Sequence, residues 1–248
     1  MVDSLVIIPT YNERDNIEKV IRLIFSLPHD FHVLVVDDNS PDGTSQLVSK
    51  LMDDFPDNLF LENRSSKLGL GTAYIHGFKW ALARDYEYIF EMDADLSHNP
   101  DDLMHLYNAC ASDGYDLAIG SRYIDGVNVV NWPMGRVLMS YFASIYVKIV
   151  TGMPIHDTTA GFKCYRREVL EAIDLDDIRF SGYAFQIEMK FTAWKLGFKV
   201  KEVSIVFTDR TEGASKMSTG IFREAVLGVI RLRWQSLINR KKYKPLQP

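Results

Sequence analysis

Two aspartates that are two residues apart, Asp93 and Asp95, follow an apolar stretch of the sequence. In an extended segment, residues i and i+2 point to the same side, so both carboxylates converge at the end of a strand predicted over Tyr88–Met92. Converging carboxylates beside an apolar core are costly unless a cation or hydrogen-bond donors neutralise them. Hard oxygen ligands suit Mg²⁺ or Mn²⁺, usually with phosphate oxygens completing the coordination shell. On its own, the pair is also compatible with a solvated acidic turn.

Two other polar segments follow predicted strands. Residues 9–13 read Pro-Thr-Tyr-Asn-Glu, and residues 37–44 read Asp-Asp-Asn-Ser-Pro-Asp-Gly-Thr. The second segment is also typical of a tight turn with a helix N-cap at Asp42 or Thr44. Ligands in open α/β sheets collect beyond the carboxyl ends of the strands, so three polar strand ends together favour a ligand site.

Four basic residues in the second half are candidates for binding phosphate: Arg122, Arg136, Arg210 and Lys216. Arginine offers a planar fork of donors that matches phosphate oxygens, and lysine offers a point charge. Residues 211–220 are rich in Gly, Ser and Thr, which predicts a loop able to close over a diphosphate. For any single arginine, a surface ion pair is the more common role.

The elements that must position these residues alternate between short apolar runs and amphipathic stretches. This alternation predicts an α/β fold with a mostly parallel central sheet flanked by helices. The predicted strands are Leu5–Ile8, His32–Val36, Leu59–Leu61, Tyr88–Met92, Asp116–Gly120 and Val200–Phe207. The predicted helices are Glu13–Ser26, Thr44–Asp54, Gly71–Arg84, Pro100–Ser112, Arg136–Val150, Tyr183–Leu196 and Ile221–Asn239.

Composition excludes several classes of protein. A formal net charge of −5 over 248 residues argues against nucleic acid as a partner. Two distant cysteines suggest neither a disulfide framework nor a zinc site, and reducing, cytoplasmic conditions fit them best. No signal peptide is visible, and no apolar run is long enough to cross a membrane.

The polar segments, taken together, resemble those of the family 2 glycosyltransferases of the GT-A fold, and most closely the dolichol-phosphate (polyprenol-phosphate) mannose synthases. Beyond the segments at 9–13, 37–44 and 93–98, four more segments match in the expected order. They are Lys67–Tyr74, Gly120–Tyr123, Asp157–Phe162, and the stretch from Phe207–Arg210 through Gly213–Lys216. The matches cover roughly residues 4–218.

The resemblance implies that GDP-mannose is the donor, a polyprenyl or dolichyl phosphate is the acceptor, and Mg²⁺ or Mn²⁺ is the cofactor. It implies that base and ribose are held by Pro9, Tyr11, Glu13, Val36 and Asp38. It assigns the ribose, sugar and metal to Asp93, Ala94 and Asp95, with Asp95 as principal metal ligand and Ser97 nearby, where many relatives carry Gln. It assigns the acceptor phosphate to Arg122 and Arg136, with Ser140, and the donor diphosphate to Arg210 and Lys216.

The C-terminal part suggests how a lipid acceptor is reached. We expect a catalytic domain over residues 1–219 and a basic amphipathic helix and tail over 220–248, where seven Lys/Arg accompany one acid. Helical spacing predicts a polar face and an apolar face. The polar face would consist of Glu224, Gly228, Arg231 and Gln235. The apolar face would consist of Phe222, Val226, Val229, Ile230 and Leu237. Such a segment suits the cytoplasmic face of a membrane, to which the chain would bind peripherally. A terminal helix packed on the domain is the alternative. Members of the family that this chain resembles either carry C-terminal transmembrane helices or are catalytic domains tethered by small membrane subunits, and this chain looks like the second, shorter kind.

Three interpretations stay open at this point. Tyr141, Phe142 and Tyr146 are read as helix packing, with a lipid groove as the alternative. A related transferase would use UDP-glucose, UDP-GlcNAc or a soluble acceptor, since no residue distinguishes guanine from uracil. A non-catalytic nucleotide-sugar-binding scaffold is disfavoured by the retained acidic pair and by Arg210 and Lys216.

Overall fold

The computed structural model describes residues 2–209, 219–238 and 243. Its strands are β1 (Ser4–Thr10), β2 (Phe31–Asp37), β3 (Leu59–Asn63), β4 (Tyr88–Glu91), β5 (Leu117–Ser121), β6 (Val129–Val130), β7 (Lys163–Arg166), β8 (Val200–Ser204) and β9 (Phe207–Thr208). Its helices are α1 (Arg14–Phe25), α2 (Thr44–Asp54), α3 (Leu70–Leu82), α4 (Asp102–Ala111), α5 (Met134–Thr151), α6 (Arg167–Ala172), α7 (Tyr183–Lys195) and α8 (Thr219–Ile238), with a 3-10 turn at Leu175–Asp177.

Seven strands form a central sheet in the order β3-β2-β1-β4-β7-β5-β8. Six of them are parallel to one another, and only β7 runs antiparallel to its neighbours β4 and β5. The short strands β6 and β9 pair separately, in parallel. This arrangement confirms the predicted mostly parallel α/β sheet, and all the helices expected from the sequence are present with ends that differ by at most two residues.

Helices cover both faces of the sheet because the strands are apolar on both sides. Buried side chains of α1, α2 and α4 form one hydrophobic cluster with one face, as in Ile21, Val48 and Leu106. Those of α3, α5, α6, α7 and α8 form the other, as in Phe78 and Phe191. The result is a three-layer structure, in which the sheet lies between two layers of helices.

Strand β7 was not predicted from the sequence. It reads Lys-Cys-Tyr-Arg, without the run of branched apolar residues that marks the other central strands, and Lys163 is fully buried. Because β7 runs opposite to β4 and β5, it begins at the edge where they end. The loop that precedes it, residues 157–162, therefore enters the sheet beside the polar strand ends.

Two predictions in the second half are corrected. The strand predicted over Val200–Phe207 ends at Ser204, and Phe207 belongs to β9, which leaves the main sheet to pair with β6. The reading of Phe142 as helix packing is also wrong, because its side chain is 59% exposed. Tyr146 does pack, and its hydroxyl donates to the carbonyl of Val226 on α8 at 2.9 Å.

Helix α8 lies against α5 and α7 rather than apart from the domain. Val229 and Leu232 are buried in the core, and Gly228, expected on the polar face, approaches the ring of Phe180. The outward surface is apolar and includes Leu227, Ile230, Trp234, Leu237 and Ile238. A domain division at residue 219 stays a prediction, and the side chains of Phe222 and Glu224 lie outside what the structure describes.

Candidate active site

The polar segments predicted from the sequence meet at one edge of the sheet because β1, β2 and β4 are parallel. Pro9 and Val36 are register partners on β1 and β2. Asp37 fastens the two strand ends together: its carboxylate accepts hydrogen bonds from the hydroxyls of Thr10 at 2.8 Å and Ser40 at 2.6 Å. Asp37 therefore stabilises the two strand ends, and Asp38, the next residue, is the one predicted to hold the nucleoside.

Asp38, predicted to hold the nucleoside, is nearly buried and carries an ion pair that the sequence did not predict. Arg64, the residue after β3, reaches Asp38 Oδ1 at 2.6 Å from Nε and donates to Thr72 Oγ1 at 2.9 Å. Beside them, the ammonium of Lys67 lies 4.1 Å from the centre of the Tyr11 ring. The sequence did contain a signal for the ion pair between Arg64 and Asp38. Arg64 directly follows a predicted strand, which places it at the same edge of the sheet as Asp38.

Glu13 lies at the N-terminus of α1, where its backbone N–H donates to Thr44 Oγ1 at 3.1 Å. The tight turn predicted for residues 37–44 is confirmed, but the N-cap expected at Asp42 or Thr44 is wrong, because the N-cap of α2 is Gly43 in the left-handed conformation, with φ of 90°. Asp42 Oδ1 accepts from both the backbone N–H and the hydroxyl of Thr44, at 2.9 and 2.6 Å. These bonds join the loops after β1 and β2 into one wall of the site.

The acidic pair follows β4, and both carboxylates line a common cavity. Asp95 Oδ1 accepts from the backbone N–H of Ser97 at 3.1 Å and from its hydroxyl at 2.5 Å. Leu96, between them, has φ of 60°, the left-handed conformation that lets the chain turn back on itself. The methyl group of Ala94 is buried in the hydrophobic cluster that α1, α2 and α4 form with the sheet. The loop therefore presents two carboxylates to the cavity, with Ser97 close to one of them.

The buried imidazole of His98 stabilises the loop that carries Asp93 and Asp95. It stacks on Phe162 with ring centres 4.8 Å apart, and its Nδ1 accepts the backbone N–H of Asp93 at 3.2 Å. Burial lowers the pKa of His98 to about 4, so the ring is neutral near pH 7. Since Nδ1 is an acceptor, the proton is assigned to Nε2.

Two carboxylates suit a divalent cation that a substrate helps to bind. Among the described residues no group of three or more His, Cys, Asp or Glu could hold a metal on its own. Mg²⁺ and Mn²⁺ commonly bind through one or two carboxylates, with water and substrate phosphates supplying the remaining oxygens. The donor set of Asp93, Asp95 and Ser97 fits that mode, and it does not fit a site closed by protein alone.

Arg122 follows β5 on the opposite side of the cavity. Its Nε and Nη2 donate to the two oxygens of Asp157 at 2.6 and 2.7 Å, and Nη2 also donates to Thr159 at 2.8 Å. Asp157 is fully buried, and its backbone N–H is held by Glu202 at 2.9 Å. Burial alone would raise the pKa of Asp157, but the guanidinium outweighs it and holds the pKa below its ordinary value.

Arg136, at the start of α5, lies on the same side. Its Nη1 donates to Asp209 Oδ1 at 2.9 Å, and its guanidinium lies 4.1 Å from the ring centre of Trp132. The same indole lies 5.4 Å from the guanidinium of Arg122. Ser140, one turn further along α5, accepts from the hydroxyl of Tyr123 at 2.8 Å. The structure thus brings together all three residues predicted to bind the acceptor phosphate.

A buried polar network under the cavity was missed by sequence reasoning. Lys163 on β7 contacts both Glu91 on β4 and Gln186 on α7, and Gln186 also donates to Glu91 at 2.8 Å. Tyr165 donates to the same carboxylate at 2.9 Å. Burial lowers the pKa of Lys163, and Glu91 opposes that shift. The network ties β4, β7 and α7 together directly beneath Asp93.

The cavity has a volume of about 530 Å³ and two chemically different ends. The polar end contains Asp93, Asp95, Arg122, Arg136 and Asp209. The other end runs between α5 and α8 and is apolar, with Met139, Phe142, Ala143, Tyr146, Val147, Val226 and Val229 along it. Arg210 and Lys216, predicted for the donor diphosphate, lie outside the described residues.

Comparison with known proteins places the chain among sugar transferases. The sequence pattern of Glycosyl transferase family 2 matches residues 5–174. A polyprenol monophosphomannose synthase of Mycolicibacterium smegmatis is 49% identical over 91% of this chain and 85% of its own length. An undecaprenyl-phosphate mannosyltransferase of Micrococcus luteus is 44% identical over 94% of this chain and 96% of its own length.

Solved structures share the fold at lower identity. A mannosyltransferase from Pyrobaculum calidifontis, in complex with GDP-Man and Mn²⁺, superposes with a TM-score of 0.60 at 18% identity, over 95% of this chain and 64% of that one. Glucosyl-3-phosphoglycerate synthase from Mycobacterium tuberculosis, solved with Mn²⁺ and UDP, gives 0.62 at 18% identity, over 99% and 81%. Their likeness concerns the fold, which is the GT-A fold.

Proposed function

Because the chain belongs to Glycosyl transferase family 2, we propose that it transfers mannose from GDP-mannose to a polyprenyl or dolichyl phosphate. The products are GDP and the polyprenyl phosphate mannose. The proposal is supported by two relatives that share 44–49% of its residues over more than nine-tenths of the chain, both of them transferases of this kind by name.

The observation that carries the proposal is the two-ended cavity. A polyprenyl phosphate has one dianionic end and one long apolar end, and the cavity offers two arginines followed by an apolar channel between α5 and α8. The exposed ring of Phe142 continues that channel to the surface. A soluble sugar acceptor would leave this apolar lining without a role.

We assign roles along the cavity. Pro9, Tyr11, Glu13, Val36 and Asp38 hold the nucleoside. The segment of Asp93, Ala94 and Asp95 holds the ribose, the sugar and the metal, the two aspartates through their carboxylates and Ala94 through its backbone. Arg122, Arg136 and Ser140 bind the acceptor phosphate. Arg210 and Lys216 belong to the same proposal as ligands of the donor diphosphate.

The residues that would hold Mg²⁺ or Mn²⁺ are Asp95, Asp93 and Ser97. When bound, the ion neutralises charge on the donor diphosphate and on the departing GDP. Ser97 donates hydrogen bonds to the carboxylate of Asp95, and these bonds keep the side-chain oxygens of both residues on one side of the loop.

The acceptor needs no general base in this reaction. The second pKa of a phosphate monoester is about 6, so at pH 7 the acceptor is mostly a dianion and is already a nucleophile. Arg122 and Arg136 position it and screen its charge from the donor. One phosphate oxygen forms a bond to the anomeric carbon while the bond from that carbon to the GDP oxygen breaks. In-line attack converts the α-linked donor into a β-linked product.

The outer surface of α5 and α8 suggests where the protein meets its lipid acceptor. Besides Phe142, the exposed apolar side chains include Met134, Leu138, Ile149, Leu227, Ile230, Trp234 and Leu237. No helix in the described part of the chain is long and apolar enough to cross a bilayer. We propose peripheral binding to the cytoplasmic face of a membrane through this surface, with the basic C-terminal tail near anionic head groups.

One experiment tests the function. The purified chain is incubated with labelled GDP-mannose, Mg²⁺ and a polyprenyl phosphate, and lipid is then extracted. Label in the lipid supports the proposal, and activity without any other protein shows that an anchoring subunit is not required. Label only in soluble sugar, transfer from UDP-glucose or UDP-GlcNAc instead, or donor binding without turnover would each refute it.

A further inference from the structure

The two arginines of the acceptor end have carboxylate partners of different kinds. Asp157, the partner of Arg122, is fully buried and is fixed by hydrogen bonds from the side chain and backbone of Arg122 and by Glu202. Within residues 2–209, the carboxylate of Asp209 has one ion-pair partner, Arg136 Nη1 at 2.9 Å, and both side chains are about one-quarter exposed. The carboxylate of Asp157 is thus buried and held by several hydrogen bonds, whereas that of Asp209 is partly exposed and held less tightly.

Asp209 occupies the position on Arg136 that a phosphate would use. A carboxylate and a phosphate present similar oxygens to a guanidinium, and both bind it through charge-assisted hydrogen bonds. In the described part of the chain, Asp209 is the acid that pairs with Arg136. While this pair is intact, the charge of Arg136 is neutralised inside the cavity. The acceptor phosphate would meet two arginines that are each already paired.

The backbone around Asp209 links this pair to the acidic loop. The N–H of Asp209 donates to Val130 at 3.0 Å, which holds it beside β6. One residue earlier, the N–H of Thr208 donates to the carbonyl of Ser97 at 3.2 Å. The same two-residue strand therefore contacts the acceptor end through Asp209 and the proposed metal loop through Ser97.

We propose that Asp209 is an internal competitor for the acceptor phosphate. It neutralises Arg136 when no acceptor is present, and the acceptor has to displace it in order to bind both arginines. This inference rests on the proposed function, because it needs a phosphate at Arg136. Asp209 thereby sets the affinity for the acceptor and favours a dianionic monoester over ligands that carry a single charge.

The test compares Asp209→Asn with the wild type in steady-state kinetics. Asparagine keeps the size of the side chain and removes the charge, so the KM for polyprenyl phosphate should fall by about two- to fivefold, as expected for the loss of one partly exposed ion pair. The KM for GDP-mannose should not change. Inorganic phosphate, as a competitor of the acceptor, should inhibit the variant at correspondingly lower concentration.

The matched control is Asp125→Asn, which removes an exposed carboxylate from the loop between β5 and β6. If Asp125→Asn lowers the acceptor KM equally, the effect is one of general charge and the inference is wrong. An unchanged or raised acceptor KM in Asp209→Asn, or a fall in kcat alone, also overturns it. Should thermal unfolding show that Asp209→Asn is poorly folded, Asp209→Ser is judged by the same criteria. A wild type that labels no lipid refutes the proposed function instead, whatever the variants do.

Discussion

The guanidinium of Arg122 grips the carboxylate of Asp157 with a two-pronged contact, at 2.6 and 2.7 Å, between the end of β5 and the loop before β7. Asp157 has no exposed surface, whereas Arg122 reaches the cavity. The buried carboxylate of Asp157 therefore fixes the orientation of the Arg122 guanidinium at the candidate site. Stability and activity should both depend on it.

We expect Asp157→Asn to destabilise the protein by about 3–5 kcal/mol near neutral pH, because Arg122 would lose its buried counter-charge. The pKa of Asp157 is held below its ordinary value of 3.8, so its contribution is complete above that pH and is lost as the pH falls below it. Urea unfolding of both proteins at several pH values should show a gap that closes in acid. Asp176→Asn, at the exposed ion pair with Lys79, is the control and should change little.

Asp95→Asn should reduce kcat by at least about a hundredfold, the size of effect expected when one preorganised electrostatic contact to the transition state is lost. Asparagine can still accept the two bonds from Ser97, so the loop should keep its shape. Binding of Mn²⁺ in the presence of GDP, followed by electron paramagnetic resonance, gives a readout that is independent of turnover. Wild-type turnover at saturating metal would contradict the assignment. Asp113→Asn, at an exposed position two residues after the end of α4, serves as control.

Gly71→Ala should destabilise the protein by about 1–3 kcal/mol, since overpacking of a tight contact costs this much. A Cβ at Gly71 would lie 2.7 Å from the Phe185 ring and 2.8 Å from the carbonyl of Phe180. Gly135→Ala is the matched control in the first turn of α5, where a Cβ meets nothing within 4 Å. There, the gain in helix propensity should leave stability equal or slightly higher. Thermal unfolding distinguishes the two, and equal midpoints would show that α3 can move away from α7.

Trp234→Ser should weaken binding to anionic phospholipid vesicles by at least about tenfold, because the indole is 65% exposed on the apolar surface of α8 and would be lost from the bilayer contact. Vesicle sedimentation measures the effect directly. Leu23→Ser is the control, since Leu23 is an exposed apolar residue of α1 on the opposite face of the sheet. Equal losses in the two variants would mean that α8 does not form the membrane contact.

The positions of the acidic pair and of the polar strand ends could be predicted because both follow from local rules. Alternating apolar runs identify parallel strands, and parallel strands place Tyr11, Asp38 and Asp95 at one edge of the sheet. The helix ends agree with the prediction to within two residues for the same reason, since periodicity and turn residues are local properties.

The partners in the ion pairs were not predicted, because each pair joins segments that are far apart in the chain. Arg64 lies 26 residues from Asp38, Asp157 lies 35 residues from Arg122, and Asp209 lies 73 residues from Arg136. The sequence marks these residues as charged without showing which charges meet. Strand β7 was missed for a different reason. A lysine is rarely buried, so the sequence around Lys163 does not resemble a central strand.

The position of β7 in the sheet sets the width of the site. By lying between β4 and β5, this strand separates their ends by two inter-strand spacings, about 10 Å. In the proposed reaction, the two phosphate groups repel each other, and each is bound on its own side of that interval. The backbone thus serves as a spacer, and the sugar bridges a gap whose length is fixed by hydrogen-bonded strands and not by flexible side chains.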